Sequence, residues 1–302
     1  MKTAVLLIVF NRIDTAAQVL ERILASGCTN LYLYSDGPRS EKSGEAEQLK
    51  DVQQALVAKI PGQVKLTTRF NNKNQGPRIA VGEAISWFFD QEEEGIIFEH
   101  DCLPHPDFFP FCESLLAHYR NDERIMHISG DNFQFGKQRG EGSYYFSRLN
   151  HIWGFATWRR AWKHYDPTIK DWPEFKANKR LNDIYSHKRM QKIWEDIFDK
   201  THSGELQTWD YQWTFAMWRN NGLAILPQHN LVSNIGFDSK ALNTTNPNHA
   251  LAAMETCQTG ALVHPKFILP AIEADEFSIL EVFNPTIGKF AWQQVKRKLE
   301  KL

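Results

Sequence analysis

The first 130 residues alternate short apolar runs with segments in which apolar residues recur every three or four positions. A continuous apolar run is typical of a strand covered on both faces, and the longer period is typical of an amphipathic helix. This alternation predicts an α/β fold with a Rossmann-like, mostly parallel central sheet and helices on both faces. The predicted strands cover residues 4–10, 31–35, 64–70, 96–98 and 125–129.

Polar residues follow three of these predicted strands. Arg12 comes shortly after the first strand, and Asp36 directly follows the second. Glu99, His100 and Asp101 follow the fourth. Ligands of open α/β sheets bind outside the carboxyl ends of the strands, so we expect these side chains to share one site. The glycine pattern GxGxxG is absent after the first strand, which argues against an NAD-binding protein.

Glu99 and Asp101 are two residues apart, and residues two apart in a strand point to the same face. Paired carboxylates at a sheet edge suit Mg²⁺ or Mn²⁺, which prefer oxygen ligands and bind through one or two carboxylates together with substrate phosphates. His100 should point away and serve a structural purpose. The alternative for the acidic pair is a solvated strand end whose carboxylates cap the next helix or pair with an arginine.

Charge and cysteine content bear on the class of protein. The chain of 302 residues has 35 Lys and Arg against 36 Asp and Glu, so it lacks the basic excess of a nucleic-acid-binding protein. Its four cysteines show no CxxC spacing and predict neither a disulfide framework nor a zinc site. No segment resembles a cleaved signal peptide or is apolar over the length of a bilayer, so we expect a cytoplasmic protein.

The second half of the chain differs in composition from the first. Eight of the ten tryptophans lie between Trp153 and Trp218. No spacer rich in proline, glycine or serine separates the halves. We therefore predict one continuous structural unit with two parts, an α/β half over residues 1–130 and an aromatic-rich half over residues 131–302.

The most specific pattern is IIFEHDCLPHPDFF, residues 96–109, in which Glu99, one residue and Asp101 precede a Pro-x-Phe-Phe. It resembles the acidic metal motif of GT-A glycosyltransferases, most closely the inverting enzymes of the N-acetylglucosaminyltransferase I type, in a bacterial branch. The middle acid of the family motif is His100 here. The resemblance implies that Asp101 binds a divalent cation, Mn²⁺ or Mg²⁺, and that Glu99 contributes to the donor site.

Further segments follow in the order of that family. VFNR resembles its first strand, which implies that Arg12 contacts the nucleotide. LYLYSDG resembles the end of its second strand, which implies that Asp36 binds the base. TWDYQW resembles the segment with the catalytic base, which assigns that role to Asp210. WGFATWRRAW and NLVSNIGF, residues 153–162 and 230–237, are similar to segments of the bacterial members. The resemblance spans about residues 3 to 240.

The resemblance implies an inverting hexosyltransferase. It would move a sugar from a nucleotide-diphosphate donor, with UDP-sugar favoured, to a hydroxyl of a glycan, lipid-linked or protein acceptor. Residues 1–130 would bind the donor, and residues 131–302 would form the acceptor side. Trp153 and Gly154 would border the donor, and Arg78, which follows NQGP before a helix, would reach a phosphate. The alternatives are a plain turn at Gly154 and a surface position for Arg78.

The tryptophans of the second half have two interpretations. Trp153, Trp158, Trp209 and Trp213 are candidates for lining a sugar site, since aromatic faces pack against sugar C–H groups. Their spacing is also typical of a helical core, which is the alternative. Asp210 has an alternative as well, an ion pair with a residue such as Arg219.

The last residues of the chain have two interpretations. Residues 289–302 combine an apolar stripe with basic residues, so this segment either contacts the inner face of an anionic membrane or docks on the body of the protein. One rival function is a nucleotidyltransferase on a similar sheet, although VFNRIDT lacks the glycine-rich loop usual there. The other is a non-catalytic carbohydrate-binding protein.

Overall fold

The computed structural model describes residues 1–238 and 249–284. Within these ranges the strands are β1 (Ala4–Val9), β2 (Asn30–Ser35), β3 (Lys65–Phe70), β4 (Glu94–Glu99), β5 (Cys102–Pro104), β6 (Ile125–Ser129), β7 (Tyr144–Ser147), β8 (Phe155–Trp158), β9 (Leu223–Pro227) and β10 (Val232–Asn234). The helices are α1 (Ile13–Ala25), α2 (Glu45–Ala58), α3 (Pro77–Phe89), α4 (Phe108–Tyr119), α5 (Arg159–Trp162), α6 (Trp172–Ala177), α7 (Leu181–Ile184), α8 (Lys188–Ser203), α9 (Asp210–Arg219) and α10 (Ile272–Phe277), followed by a π-helical turn, Ser278–Phe283.

Eight of these strands form one sheet in the order β3-β2-β1-β4-β8-β6-β9-β7. Six of them, β1 to β4, β6 and β9, run in the same direction, whereas β7 and β8 run the opposite way. The predicted α/β class with a mostly parallel sheet is confirmed. We call the edge at which those six strands end the rim, and every predicted strand of the first half contributes its carboxyl end to it.

The two faces of the sheet carry different helices, because side chains alternate along each strand. On one face Val5, Leu7 and Val9 pack with the apolar sides of α1, α2 and α4. On the other face Leu6 and Ile8 pack with α3 and with the aromatic helices of the second half. Helices therefore cover both faces, which is why the β1 run AVLLIV is apolar throughout and fully buried.

Strand β8 was not predicted from the sequence. It inserts antiparallel between β4 and β6, placing Phe155 opposite Ile97 and Ala156 opposite Ile128. The four residues FATW are too short to show a strand period, and the spacing of Trp158 and Trp162 is that of a helix. Pairing with two neighbours decides the conformation, so Trp158 ends the strand and Trp162 ends the short helix α5.

Core packing accounts for most of the tryptophans of the second half. Seven of them are buried, namely Trp158, Trp162, Trp172, Trp194, Trp209, Trp213 and Trp218. Of the four candidates for lining a sugar site, only Trp153 remains partly exposed. The aromatic segment is thus mainly the core that packs on the α3 face of the sheet.

A second sheet of two strands brings a distant segment to the rim. β5 pairs antiparallel with β10, so that Ser233 lies opposite Leu103. β5 begins just after β4 ends, and the pairing therefore carries residues 232–238 to the turn that contains Asp101.

The described residues include no helix that combines the length and the apolar character needed to cross a bilayer. The segment 289–302, for which membrane contact or docking is predicted, lies outside the described residues.

Candidate functional site

Three carboxylates from two distant segments, Glu99 and Asp101 at the end of β4 and Asp210 at the start of α9, come together at the rim. β4 ends at Glu99, and α9 begins at Asp210. The indole Nε1 of Trp209 donates a hydrogen bond to Glu99 over 3.3 Å, which joins the start of α9 to the end of β4. Burial, together with the negative charges of Asp101 and Asp210, raises the pKa of Glu99 to about 8 against the opposing effect of the indole. The acids that the sequence placed at separate strand and helix ends therefore interact.

Asp101 lies in the turn between β4 and β5 and not on the strand itself. Its backbone carbonyl oxygen accepts a hydrogen bond of 2.9 Å from the backbone N–H of Ile235. The backbone at Gly236 approaches so closely that a Cβ there would overlap the Asp101 carboxylate. Strand alternation does not bring Glu99 and Asp101 together as predicted; the turn does so instead.

His100 and Glu99 face different neighbours, as expected for adjacent residues at a strand end. Burial lowers the pKa of His100, and the charges that act on it belong to Asp101, Arg12 and Asp14. It therefore lies on the side of α1, whereas Glu99 lies on the side of α9.

Asp210 is the first residue of α9 and is partly exposed. The hydroxyl of Thr208 donates a hydrogen bond to its Oδ1. Burial raises the pKa of Asp210, although the Thr208 hydroxyl opposes this change. Its proposed ion pair with Arg219 is not formed, because Arg219 pairs with Asp171.

Arg12 lies at the carboxyl end of β1 and is 9% exposed. Its guanidinium donates to both carboxylate oxygens of Asp238, at 3.2 and 2.8 Å, and pairs with Asp14 at 3.2 Å. Arg12 and its neighbours, with Gln48 of α2, line a cleft of about 400 Å³. The guanidinium thus already holds a carboxylate at the place where a nucleotide contact is predicted.

Asp36 follows β2, and its carboxylate is surrounded by donors of the loop before α3. It accepts the backbone N–H groups of Gln75 and Gly76 at 3.0 to 3.1 Å, the backbone N–H of Gly37 at 2.9 Å and the side-chain amide of Asn74 at 2.9 Å. These bonds anchor the loop 71–76 to the end of β2. The base-binding role of Asp36 stays a prediction beside this observed one.

Arg78 lies in the first turn of α3, and its side chain extends to the loop after α8. Its guanidinium packs against Gly204, and its Nε is buried without a hydrogen-bond partner among the described residues. Burial raises the pKa of Tyr165, the charge of Asp210 raises it further, and the charge of Arg78 lowers it. Arg78 is half-buried, and it acts on the same phenol as Asp210.

Trp153 and Gly154 lie just before β8, at the rim. The backbone N–H of Trp153 donates to Asp131 at 2.9 Å, and the Trp153 ring contacts the edge of Phe237 at 5.6 Å between centroids. Gly154 has φ of 75°, and a Cβ at this position would lie 2.9 Å from the ring of Phe98. Glycine is required here because φ is positive and because a Cβ would overlap the Phe98 ring.

Asp131 is a site residue that the sequence analysis missed. It is wholly buried shortly after β6, and burial raises its pKa well above the ordinary value. One carboxylate oxygen accepts from Trp153, and the other has no partner within the described part of the chain. Arg12 and Asp36 were found because they are polar residues just beyond the end of a predicted strand. The same criterion, applied to ISGDN at residues 128–132, would have found Asp131.

No contacts with the site were predicted for the segment 235–238, although residues 230–237 resemble the bacterial sequences and Asp238 is the second candidate for the base after Asp210. Gly236 packs on Asp101, Phe237 on Trp153, and Asp238 pairs with Arg12. Consecutive residues of one segment therefore contact three of the predicted site residues.

The predicted cation has a partial protein ligand set. Among the described residues no group of three or more histidine, cysteine or acidic side chains has the arrangement of a metal site. The oxygen donors Glu99 and Asp101 suit a hard cation that takes its remaining ligands from phosphates and water. Burial is the largest cause of the raised pKa of Glu99, and the negative charges of Asp101 and Asp210 add to it. A bound cation relieves both the burial of a charge and the repulsion between acids. The chemistry of the donor set fits Mg²⁺ or Mn²⁺.

No protein-family model matches the sequence, and no curated protein sequence matches it. Several solved structures overlap with parts of the fold. HddC from Yersinia pseudotuberculosis, complexed with GMP-PN, is 10% identical with a TM-score of 0.32, over 52% of this chain and 77% of that one.

Two other solved structures overlap to a similar degree. A cytidylyltransferase from Leptospira borgpetersenii is 10% identical with a TM-score of 0.34, over 60% of this chain and 74% of that one. Mouse xyloside xylosyltransferase 1 is 12% identical with a TM-score of 0.34, over 72% of this chain and 80% of that one. Overlaps this weak carry no argument about the activity of this chain.

Proposed function

We propose that the protein is an inverting glycosyltransferase that moves a sugar from a nucleotide-diphosphate donor, a UDP-sugar by preference, to an acceptor hydroxyl. The observation that carries the proposal is the meeting of Glu99, Asp101 and Asp210 at the rim, with Trp209 joining the two segments that supply them. Ligands of open α/β sheets bind at this edge, and a single displacement needs a place for the diphosphate and a base for the acceptor.

Asp210 is the base in this proposal. It keeps partial exposure, so an acceptor hydroxyl has access to it, and its raised pKa makes it a stronger base than a solvated aspartate. Its Oδ1 accepts from Thr208, and in this proposal the other oxygen, Oδ2, takes the proton of the attacking hydroxyl. No nucleophilic side chain is needed, because the acceptor oxygen attacks the anomeric carbon directly.

Asp101 and Glu99 are the residues that would hold the divalent cation. When bound, such a cation supplies positive charge that stabilises the departing diphosphate. On the protein side, Asp101 is fixed by its contacts with Ile235 and Gly236, and Glu99 is fixed by Trp209. Fixed carboxylates lose little conformational freedom on binding a cation, which favours a defined position for the donor.

Arg12, Trp153 and Gly154 would bind the donor. Arg12 pairs with Asp238 through two hydrogen bonds, a geometry that a phosphate group can also adopt. The partly exposed Trp153 offers an aromatic surface next to the rim, and Gly154 lets the backbone approach closely. Arg78, near Asp210, would contribute positive charge. We further propose a glycan, lipid-linked or protein acceptor, and a cytoplasmic enzyme whose residues 289–302 contact the membrane surface.

A panel of nucleotide sugars tests the proposal. Each is incubated with Mn²⁺ or Mg²⁺, release of nucleoside diphosphate is followed by ³¹P NMR, and the anomeric configuration of the product by ¹H NMR. We expect one donor to be consumed with inversion, and Asp210→Asn to consume it slower by a factor on the order of a hundred to ten thousand. Sugar binding without consumption of any donor would support a carbohydrate-binding protein instead. Formation of a nucleotide sugar from a nucleoside triphosphate and a sugar phosphate would support a nucleotidyltransferase.

A further inference from the structure

Thr208 is the second residue before α9, one position outside the N-cap. A threonine at the N-cap itself commonly caps a helix by accepting a backbone N–H. Here the N-cap of α9 is Trp209, and no side chain caps the helix. The Thr208 hydroxyl instead donates to Oδ1 of Asp210.

We propose that Thr208 is a positioning residue, whose hydroxyl fixes the Asp210 carboxylate so that one defined oxygen faces the acceptor. The inference rests on the proposed role of Asp210 as the base. It adds a residue for which the family resemblance provided no role.

The need for such a contact follows from the place of Asp210 in the helix. A carboxylate in the first turn is attracted by the free backbone N–H groups there, and the N–H groups of Asp210 and Tyr211 act on this one. An aspartate side chain also has three staggered χ1 positions. The hydroxyl of Thr208 selects among these arrangements, so that Oδ1 is occupied and Oδ2 is presented.

Thr208 is itself held in place. Its carbonyl oxygen accepts from Nε2 of Gln212 at 2.8 Å, and Gln212 is wholly buried. The next residue, Trp209, is bonded to Glu99 through its indole, and its carbonyl accepts from the hydroxyl of Tyr165 at 3.4 Å. The segment 208–210 is therefore fixed to α9, β4 and the loop after α5, and the hydroxyl has little freedom to point elsewhere.

Three variants test the proposal with the nucleotide sugar that the wild type consumes in the panel described above, measured for hydrolysis and for transfer. Thr208→Val keeps the shape and removes the hydroxyl, whereas Thr208→Ser keeps it. Thr201→Val is the matched control, because Thr201 is buried in α8 and, within the described residues, its hydroxyl donates to a helix carbonyl, that of Ile197. We expect Thr208→Val to lower kcat about tenfold to a hundredfold, the effect of losing a hydrogen bond to a charged group. The donor KM should stay within about twofold.

Serine should restore most of the turnover, and Thr201→Val should leave it unchanged. In the Asp210→Asn background, Thr208→Val should have no further effect, since its action passes through Asp210. Crystal structures provide a readout without substrate: the Asp210 carboxylate should keep its position in Thr208→Ser and rotate in Thr208→Val.

Two outcomes would overturn the role of Thr208. One is wild-type turnover in Thr208→Val, and the other is an equal loss with and without the Asp210 carboxylate. Normal turnover in Asp210→Asn would instead reject the proposed base itself. The two failures are therefore distinguishable.

Discussion

The indole of Trp209 and the carboxylate of Glu99 form a hydrogen bond of 3.3 Å that joins the start of α9 to the end of β4. The residue after Trp209 is Asp210, and the second residue after Glu99 is Asp101. This one contact therefore sets the relationship between the proposed base and the proposed cation site, which lie in segments more than 100 positions apart in the chain.

Replacement of Trp209 by phenylalanine should weaken the link between the proposed base and the proposed cation site. Trp209→Phe keeps the ring contact with Phe155 but removes the donor to Glu99. We expect a loss of about 1–2 kcal/mol in the free energy of unfolding and about a tenfold loss of turnover. Trp213→Phe is the control, because it removes an indole bond to His127 in the core of the same helix. It should cost similar stability, measured by urea unfolding, with turnover nearly unchanged. Equal loss of turnover in both variants would contradict the role of the Trp209 contact.

Replacement of Asp210 by asparagine should abolish proton acceptance and leave binding intact. Turnover should fall by a factor on the order of a hundred to ten thousand, the usual contribution of a general base. The affinity for UDP and the cation, measured by calorimetry on the same preparations, should stay the same. Glu205→Gln is the control, since Glu205 is exposed in the loop before α9. Loss of nucleotide affinity together with turnover would move Asp210 from the base to the donor pocket.

Chelation of cations should stop the reaction, and Asp101→Asn should have the same consequence. EDTA is expected to abolish transfer, and added Mn²⁺ or Mg²⁺ to restore it. Asp101→Asn should lose activity but keep its melting temperature. The substitution removes a negative charge that repels the carboxylate of Glu99, so it should not destabilise the fold. The exposed Asp51 of α2 provides the control variant Asp51→Asn. Full activity in EDTA would reject the cation site.

Asp36 has an observed structural role and a predicted nucleotide role, and two variants distinguish them. Asp36→Asn should lower the free energy of unfolding by about 3 kcal/mol, because an amide N–H would face the donors of Gln75 and Gly76. Asn74→Ala removes a donor to Asp36 and loosens the same loop while keeping the carboxylate. If Asp36 contacts the nucleotide, calorimetry will show weaker UDP binding in Asp36→Asn alone. Equal weakening in both variants would indicate anchoring only.

Asp275 should make stability depend on pH. It is buried in α10, and burial raises its pKa to about 6, although hydrogen bonds from Ser147 and the Arg148 N–H oppose this. Because the folded pKa exceeds the ordinary value of 3.8, the protonated form contributes stability that is fully present below about pH 4. That contribution, about 3 kcal/mol, is lost as the pH rises through 6.

Urea unfolding of the wild type and Asp275→Asn between pH 4 and 7 isolates this effect. The variant does not titrate at this position, so its stability relative to the wild type should increase as the pH rises. A constant difference across the range would show that Asp275 has the same pKa in the folded and unfolded protein.

The apolar runs of the first half determined its strands, and the residues after them determined which polar groups lie at the rim. Runs such as AVLLIV need cover on both faces, a local requirement that is visible in the sequence. Arg12, Asp36 and Glu99 were placed at strand ends by the same local pattern.

Only the tertiary structure decided how these groups are used. The insertion of β8 between β4 and β6, the occupation of the Asp36 carboxylate by the loop 71–76 and the pairing of Arg12 with Asp238 all depend on contacts between segments distant in the chain. Periodicity reports which face of a segment is buried, but it carries no information about which distant group supplies its hydrogen bonds. The position of Asp210 beside Glu99 depends on such a contact, and so it follows from the packing of α9 against the sheet and not from either local sequence.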